Sequence, residues 1–194
     1  WMADNYGPNS KPRFQAALGH PLSPKLRRDL EAGDLASAMQ GLAAQVRLPR
    51  LKKLAERLAP AAQGTAVRVV SETEMQRLRE QYYGEGGPGF AGLYVSNGGI
   101  RTVYLNREGG MDVHTLMHEM VHAATWQAMQ NRSGPTYRQL DQLARKLRAA
   151  GLNPTATANA DELLAEGLSN EAFRRELAQV NLDGTKETAL QRFT

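Results

Sequence analysis

Residues 115–126 read TLMHEMVHAATW, and within them His118, Glu119 and His122 belong to the five-residue pattern HEMVH. Residues four positions apart in an α-helix lie on the same face, one turn from each other. His118 and His122 can therefore direct ring nitrogens at one point, while Glu119 is rotated away from both. Methionines, a valine and an alanine occupy another face, so the pattern predicts an amphipathic helix from about residue 112 to about residue 130.

This spacing of two histidines and a glutamate is typical of a catalytic zinc site. Two imidazoles can bind one Zn²⁺ ion at about 2.0–2.1 Å, and a glutamate beside them can act on a metal-bound water without displacing it. His114 adds a third histidine at the same spacing, but about 12 Å of helix axis separates it from His122. We therefore predict Zn²⁺ as the cofactor, with His118 and His122 as ligands and His114 as a first-turn residue.

A catalytic zinc takes three protein ligands and keeps one position open. The chain contains no cysteine, so the third ligand is His, Asp or Glu, and His20 lies in a polar leader that makes it a poor candidate. The downstream acids cluster in NADELLAEGLSN, which contains Asp161, Glu162 and Glu166. Glu162 and Glu166 share a helical face, and one can bind zinc while the other braces a histidine. Spacing alone leaves the choice between them open.

Residues 1–60 are interpreted as an amino-terminal leader followed by a helical appendage, and residues 61–194 as the main domain. Ser23 and Pro24 have the order of an N-cap and a first helical residue, and Pro60 is predicted to end the last helix of the appendage. Residues 1–60 carry a net charge of +5, whereas the rest of the chain carries −1. A basic face of this kind suits nucleic acid or an acidic partner, although interspersed charges favour solvated helix faces.

The middle of the chain is predicted to hold a small sheet, and the remainder to be helical. Residues 66–70, AVRVV, are β-branched and bounded by turn residues, which indicates a strand, and a helix is predicted to leave it at Ser71. The stretches GLYVS and IRTVYLN flank Asn97-Gly98-Gly99, a strong hairpin signal. Helical periodicity returns in residues 137–150 and in two final segments. The fold class predicted from this order is α+β.

HEMVH followed by DELLAEGLSN resembles the gluzincin-type metallopeptidases. More narrowly, it resembles the protease domain of anthrax lethal factor and the zincin-like domains of phage and polyvalent effector proteins. Those proteins pair HExxH with a helix of the form (D/A)EFFAEAF, and in lethal factor the first Glu of that helix binds zinc and the second lies nearby. The resemblance covers residues 93–175. It implies a zincin-like domain with a small twisted sheet, an active-site helix and a helical second half, with Glu162 as ligand and Glu166 as its neighbour.

The resemblance also implies the reaction, which is hydrolysis of a peptide bond in a protein or peptide substrate with Glu119 as general base. Zincin-like peptidases commonly hold an extended substrate against the edge strand before the active-site helix, and IRTVYLN occupies that place, with Val103, Tyr104 and Leu105 at its centre.

One residue departs from the lethal-factor pattern, which has a tyrosine seven residues before the ligand Glu to support the oxyanion. This chain has Thr155 at that position. Tyr137 and His114 are the alternative donors, and the assignment stays open.

Two other functions are compatible with the sequence. One is a non-catalytic binding module of a larger phage or effector polypeptide whose basic amino-terminal helices contact nucleic acid. The other is an amidase that acts on cell-wall peptide cross-links. An intact HExxH favours an enzyme.

The sequence shows no signal peptide and no apolar run of the roughly 18–20 residues that a membrane span needs. It therefore predicts no membrane association, and either a cytoplasmic protein or one delivered within a larger phage or effector protein.

Overall fold

Helices and strands follow one another in the mixed order that the sequence predicts. The computed structural model describes residues 20–84, 90–182, 184 and 187–194. Within these residues the elements are α1 (Pro24–Glu31), α2 (Leu35–Gln45), α3 (Pro49–Ala62), β1 (Thr65–Val70), α4 (Glu72–Tyr83), β2 (Gly92–Asn97), β3 (Ile100–Asn106), α5 (Val113–Met129), α6 (Pro135–Ala149), α7 (Ala160–Ser169), α8 (Glu171–Gln179) and α9 (Ala189–Phe193). The α+β class is confirmed. No helix among the described residues is long and apolar enough to cross a membrane. Nearly all of the predicted leader, residues 1–19, lies outside the described part.

The three strands form one mixed sheet in the order β1-β3-β2. β1 is parallel to β3, with Val67 opposite Val103, and β2 is antiparallel to β3, with Tyr94 also opposite Val103. Gly98 and Gly99 connect β2 to β3 with φ of 58° and 84°. Two consecutive residues with a left-handed backbone conformation form a tight turn whose twist matches that of the two strands it joins. Glycine adopts this conformation without steric cost. The hairpin prediction is confirmed.

β3 is the central strand of this sheet, which corrects one expectation from the sequence. Val103, Tyr104 and Leu105 were expected to lie on a substrate-binding edge strand, yet their strand is hydrogen-bonded to β1 on one side and to β2 on the other. A strand paired on both sides has no backbone groups left for a substrate. In the described sheet, β2 occupies the edge position next to β3.

The first of two compact units ends at Ala123, inside α5. Helices α1, α2 and α3 all contact β1 and therefore belong to the same unit as the sheet. The predicted boundary near residue 60 does not coincide with this division, because local composition does not reveal that these helices pack on the strand that follows them. Helix α3 also continues past Pro60 to Ala62. Pro60 lies in the final turn, so the one i→i−4 hydrogen bond that its missing N–H removes is close to the end of the helix.

Helix α4 covers one face of the sheet in the first unit. Ser71 caps the helix by accepting a hydrogen bond from the backbone N–H of Glu74 at 3.3 Å, as its sequence predicts. Met75 of α4, with no exposed surface, packs with Val70 of β1 and Leu93 of β2. The opposite face of β2 therefore remains for α5, the helix that carries HEMVH.

The second unit, which begins at Ala124, has its own apolar core built from α6 to α9. Phe173 of α8 has no exposed surface and lies in a cluster with Leu147 of α6 and Leu163 of α7. Full burial of one such side chain contributes about 1.5–3 kcal/mol. Gly167 on α7 lets Phe193 of α9 approach, since a Cβ there would lie 2.3 Å from the phenyl ring. This packing orients α7, the helix that bears Glu162 and Glu166.

Candidate metal centre

The first turn of α5 is held by a side chain and by the segment that precedes α1. Asp112 accepts hydrogen bonds from the backbone N–H of Thr115 at 2.9 Å and from its hydroxyl at 2.8 Å, which caps the helix. The backbone N–H of Val113 donates to the carbonyl of His20 at 3.1 Å, next to a β-bridge between Pro21 and Asp112. His20 thus takes part through its backbone, and the amino-terminal segment helps to position the motif helix.

His118 and His122 are brought together as the helical spacing predicts. Their ring centroids are 4.8 Å apart, and their Nε2 atoms are separated by 3.1 Å. Two nitrogens bound to one tetrahedral zinc at about 2.0–2.1 Å lie about 3.3 Å from each other, so the observed separation fits a shared ion. Both rings are half-buried. Neutral imidazoles with these two lone pairs directed at one point can hold a divalent metal.

Glu119 lies against the first residue of β2. The side chain is 6% exposed. A Cβ built on Gly92 would stand 2.7 Å from both Cγ and Oε1 of Glu119, and 2.9 Å from Cγ2 of Thr115. These distances are shorter than real Cβ contacts, so only glycine leaves room for the carboxylate in this position. No local pattern distinguishes Gly92 from the other glycines of its stretch, because its importance depends on how the strand meets the helix.

His114 continues the line of histidines on α5 by one turn. Its ring centroid is 5.8 Å from that of His118, with the two planes at 66°. A ring nitrogen of His114 lies within 4.8 Å of one on His118. The sequence interpretation of His114 as a first-turn residue agrees with its place in the helix, and its closeness to a candidate ligand is an addition from the structure.

In the second unit, α7 presents both candidate carboxylates. The side chain of Asn159 accepts a hydrogen bond from the backbone N–H of Glu162 at 2.9 Å and so caps the helix. Glu162 and Glu166 are half-buried, whereas Leu163 and Ala165 between them have no exposed surface. The apolar residues bury one face of α7 and leave the two glutamates on another, which matches the helical face that the sequence predicts.

Glu166 is held by the buried amide of a residue that no sequence pattern singled out. The Nδ2 of Asn170 donates to Oε2 of Glu166 at 2.7 Å, and its Oδ1 accepts from the backbone N–H of Phe173 at 2.9 Å. Asn170 has no exposed surface. The amide therefore caps α8 and fixes one oxygen of the carboxylate at the same time, which orients Glu166 before any ligand is present.

Asp161, the third acid of this helix, has a partly buried carboxyl group. Burial raises its pKa, while the Arg132 guanidinium lowers it and the negative charge of Glu162 raises it further. Burial disfavours the charged form of a carboxyl group and favours the neutral one.

The outer edge of β2 begins beside Glu119. The backbone N–H of Asn106 donates to the carbonyl of Ala91 at 2.9 Å, and the register of β2 with β3 makes these two residues an opposed pair. Hydrogen-bonded and non-hydrogen-bonded pairs alternate along antiparallel strands. The backbone groups of Gly92, Tyr94 and Ser96 therefore point away from β3, towards the outer edge. Burial raises the pKa of the Tyr94 hydroxyl above its usual range, although the hydrogen bond with Ser96 and the charge of Arg101 act in the opposite direction.

Comparison with known proteins adds no relative: family models, curated proteins and solved structures were searched, and none of them matches this chain.

Proposed function

We propose that this protein is a zinc-dependent metallopeptidase of the zincin-like type. The observation that carries the proposal is the pair of Nε2 atoms of His118 and His122, 3.1 Å apart on one face of α5, together with the buried Glu119 that follows His118 in the same helix. Bound Zn²⁺ would polarise the scissile carbonyl and lower the pKa of its water towards about 7. Glu119 would accept the proton of the attacking water and return it to the leaving amine.

Glu162 is proposed as the third ligand and Glu166 as the group that braces a histidine. The proposed ligand set is His118, His122 and Glu162, because these two histidines have the spacing that fits zinc and the resemblance to gluzincins assigns the ligand to the first glutamate of α7. The hydrogen bond from Asn170 to Glu166 supports the bracing role, because a carboxylate with one oxygen already occupied is suited to hold a neighbouring imidazole.

The substrate is proposed to be an extended peptide bound along β2 and not along β3. The outward backbone groups of Gly92, Tyr94 and Ser96 offer hydrogen bonds to a further strand, the arrangement known as β-augmentation. Gly92 is also the residue against which Glu119 packs. A peptide paired with this edge would therefore bring a carbonyl close to the general base.

Metal analysis combined with a peptide library tests the proposal. Purified protein is expected to carry close to one Zn²⁺ per chain and to cleave library peptides, because the two histidines and a carboxylate complete a catalytic site. A strong chelator should abolish cleavage, and added Zn²⁺ should restore it. His118→Ala should lose the metal, whereas His20→Ala, a histidine that acts through its backbone, should keep it.

Cleavage that survives complete removal of zinc would refute the metallopeptidase. Zinc-loaded protein that cleaves no peptide, but binds nucleic acid equally well after chelation, would favour the binding module instead. Zinc-loaded protein that cleaves only cell-wall peptide cross-links would identify the amidase.

Gly92→Ala is expected to lower kcat by roughly 100-fold, because the new methyl group displaces the Glu119 carboxylate and a shift of about 1 Å in a catalytic group has an effect of this size. Zinc content should not change, since the atoms nearest a Cβ at Gly92 belong to Glu119 and Thr115 and not to a histidine. Gly109→Ala is the matched control, because a Cβ at Gly109 meets nothing within 4 Å. Steady-state kinetics with zinc analysis of both variants would check this, and full activity of Gly92→Ala would show that Glu119 does not depend on the strand.

A further inference from the structure

The side chain of Arg148 bridges the end of α6 to the start of α7. Its Nε donates to the carbonyl of Thr157 at 3.1 Å, and its Nη2 donates to the carbonyls of Thr157 and Ala158. Both acceptors lie in the connection that leads to α7. One guanidinium therefore holds two consecutive peptide groups immediately before the helix that carries Glu162.

The connection itself is a compact turn built on Asn153. The side-chain oxygen of Asn153 accepts from the backbone N–H of Thr155 at 2.8 Å, and its carbonyl accepts from the hydroxyl of Thr157 at 2.7 Å. Thr157 has no exposed surface. These hydrogen bonds lie within the turn and do not connect its last residues to α6. Arg148 supplies that link.

The residue after the two held carbonyls is Asn159, the N-cap of α7. Its side chain accepts a hydrogen bond from the backbone N–H of Glu162 at 2.9 Å. A direct chain of contacts thus runs from Arg148 through Ala158 and Asn159 to Glu162. Displacement of the held peptide groups would move the cap, and the cap determines where the first turn of α7 places the carboxylate.

We propose that Arg148 is a positioning residue for the zinc ligand Glu162. The inference rests on the proposed function, in which Glu162 binds the metal. Arginine suits this task because its planar guanidinium offers donors in a fixed fork and stays charged at every relevant pH. A lysine ammonium at the same position can reach one carbonyl but cannot hold both in a fixed orientation. Metal ligands fixed in advance bind more tightly than ligands that must be ordered on binding.

A double-mutant cycle on Zn²⁺ affinity tests this inference. The zinc Kd is measured by chelator competition for the wild-type protein, Arg148→Ala, Glu162→Ala and the double variant. Arg148→Ala is expected to weaken zinc binding about 10-fold, the lower end of the range for residues that act on a ligand from outside the first coordination shell. In the Glu162→Ala background the same change should have no effect, because Arg148 acts through Glu162.

Two further variants separate positioning from general stability. Arg145→Ala removes an exposed arginine one turn earlier on α6, which pairs with Asp141, and should leave the zinc Kd unchanged. Arg148→Lys keeps the charge and should give a Kd between those of wild type and Arg148→Ala. Arg148→Lys also provides the test of the inference if Arg148→Ala does not fold. Thermal melting of the metal-free proteins reports the purely structural contribution.

The outcomes distinguish this inference from the proposed function. If Glu162→Ala binds zinc as tightly as wild type, the ligand assignment fails and the inference fails with it. If Glu162→Ala is weakened while Arg148→Ala and Arg148→Lys bind normally, only the inference is overturned. An equal loss of affinity from Arg148→Ala in both backgrounds would likewise overturn it.

Discussion

Replacement of Glu119 by glutamine is expected to reduce peptide hydrolysis by about 10²–10⁴-fold, the contribution that general acid–base groups typically make. Glutamine has nearly the same shape, so it can occupy the space beside Gly92, but its amide cannot accept a proton from water. The fold and the zinc content should remain, because the proposed ligands are His118, His122 and Glu162. The loss should fall on kcat and on kcat/KM to the same extent, as expected for an interaction made in the transition state.

The measurement is kcat on a peptide selected from the library, with zinc analysis of the same preparation. Glu56→Gln is a suitable control, since it makes the same chemical change on an exposed residue of α3. Substantial turnover by the zinc-loaded Glu119→Gln protein would mean that another group is the base. Loss of zinc from that protein would instead assign Glu119 a role in binding the metal.

Removal of the Glu162 side chain is expected to empty the metal site. Glu162→Ala leaves two histidines, and the protein should lose Zn²⁺ to micromolar chelator. Glu166→Ala should retain the metal with affinity or activity weakened by about 10–100-fold, because a residue that braces a ligand contributes less than the ligand itself. The difference between the two variants is the test, since they lie one turn apart on the same helix and remove the same group.

Thermal melting measures independently how much Glu162 and Glu166 each contribute to zinc binding. A ligand that binds only the folded state stabilises it by RT ln(1 + [L]/Kd) and therefore raises the melting temperature more when it binds more tightly. Added zinc should therefore raise Tm strongly for wild type, less for Glu166→Ala and least for Glu162→Ala. If Glu166→Ala empties the site while Glu162→Ala keeps its metal, the two roles are reversed. If neither variant loses zinc, Asp161 or another residue is the third ligand.

The features that the sequence predicted correctly are those that depend on neighbours in the chain. The line of His118 and His122 follows from the helical period, and the hairpin follows from the two glycines that adopt positive φ. Ser71 caps α4 because its side chain needs only the backbone N–H of Glu74, three residues away. Backbone geometry and short-range hydrogen bonds determine such elements almost irrespective of what packs on them.

The features that only the tertiary structure decided join residues far apart in the chain. β1 adds in parallel beside β3, which turns the strand of Val103 into the centre of the sheet and leaves β2 at the edge. Gly92 meets Glu119 only because that strand crosses α5 at this point. A local pattern of hydrophobic residues identifies a strand but does not say which other strands pair with it. The order of the strands and the neighbours of the general base are therefore set by the packing of the whole first unit, whereas the helix that carries HEMVH is set by its own sequence.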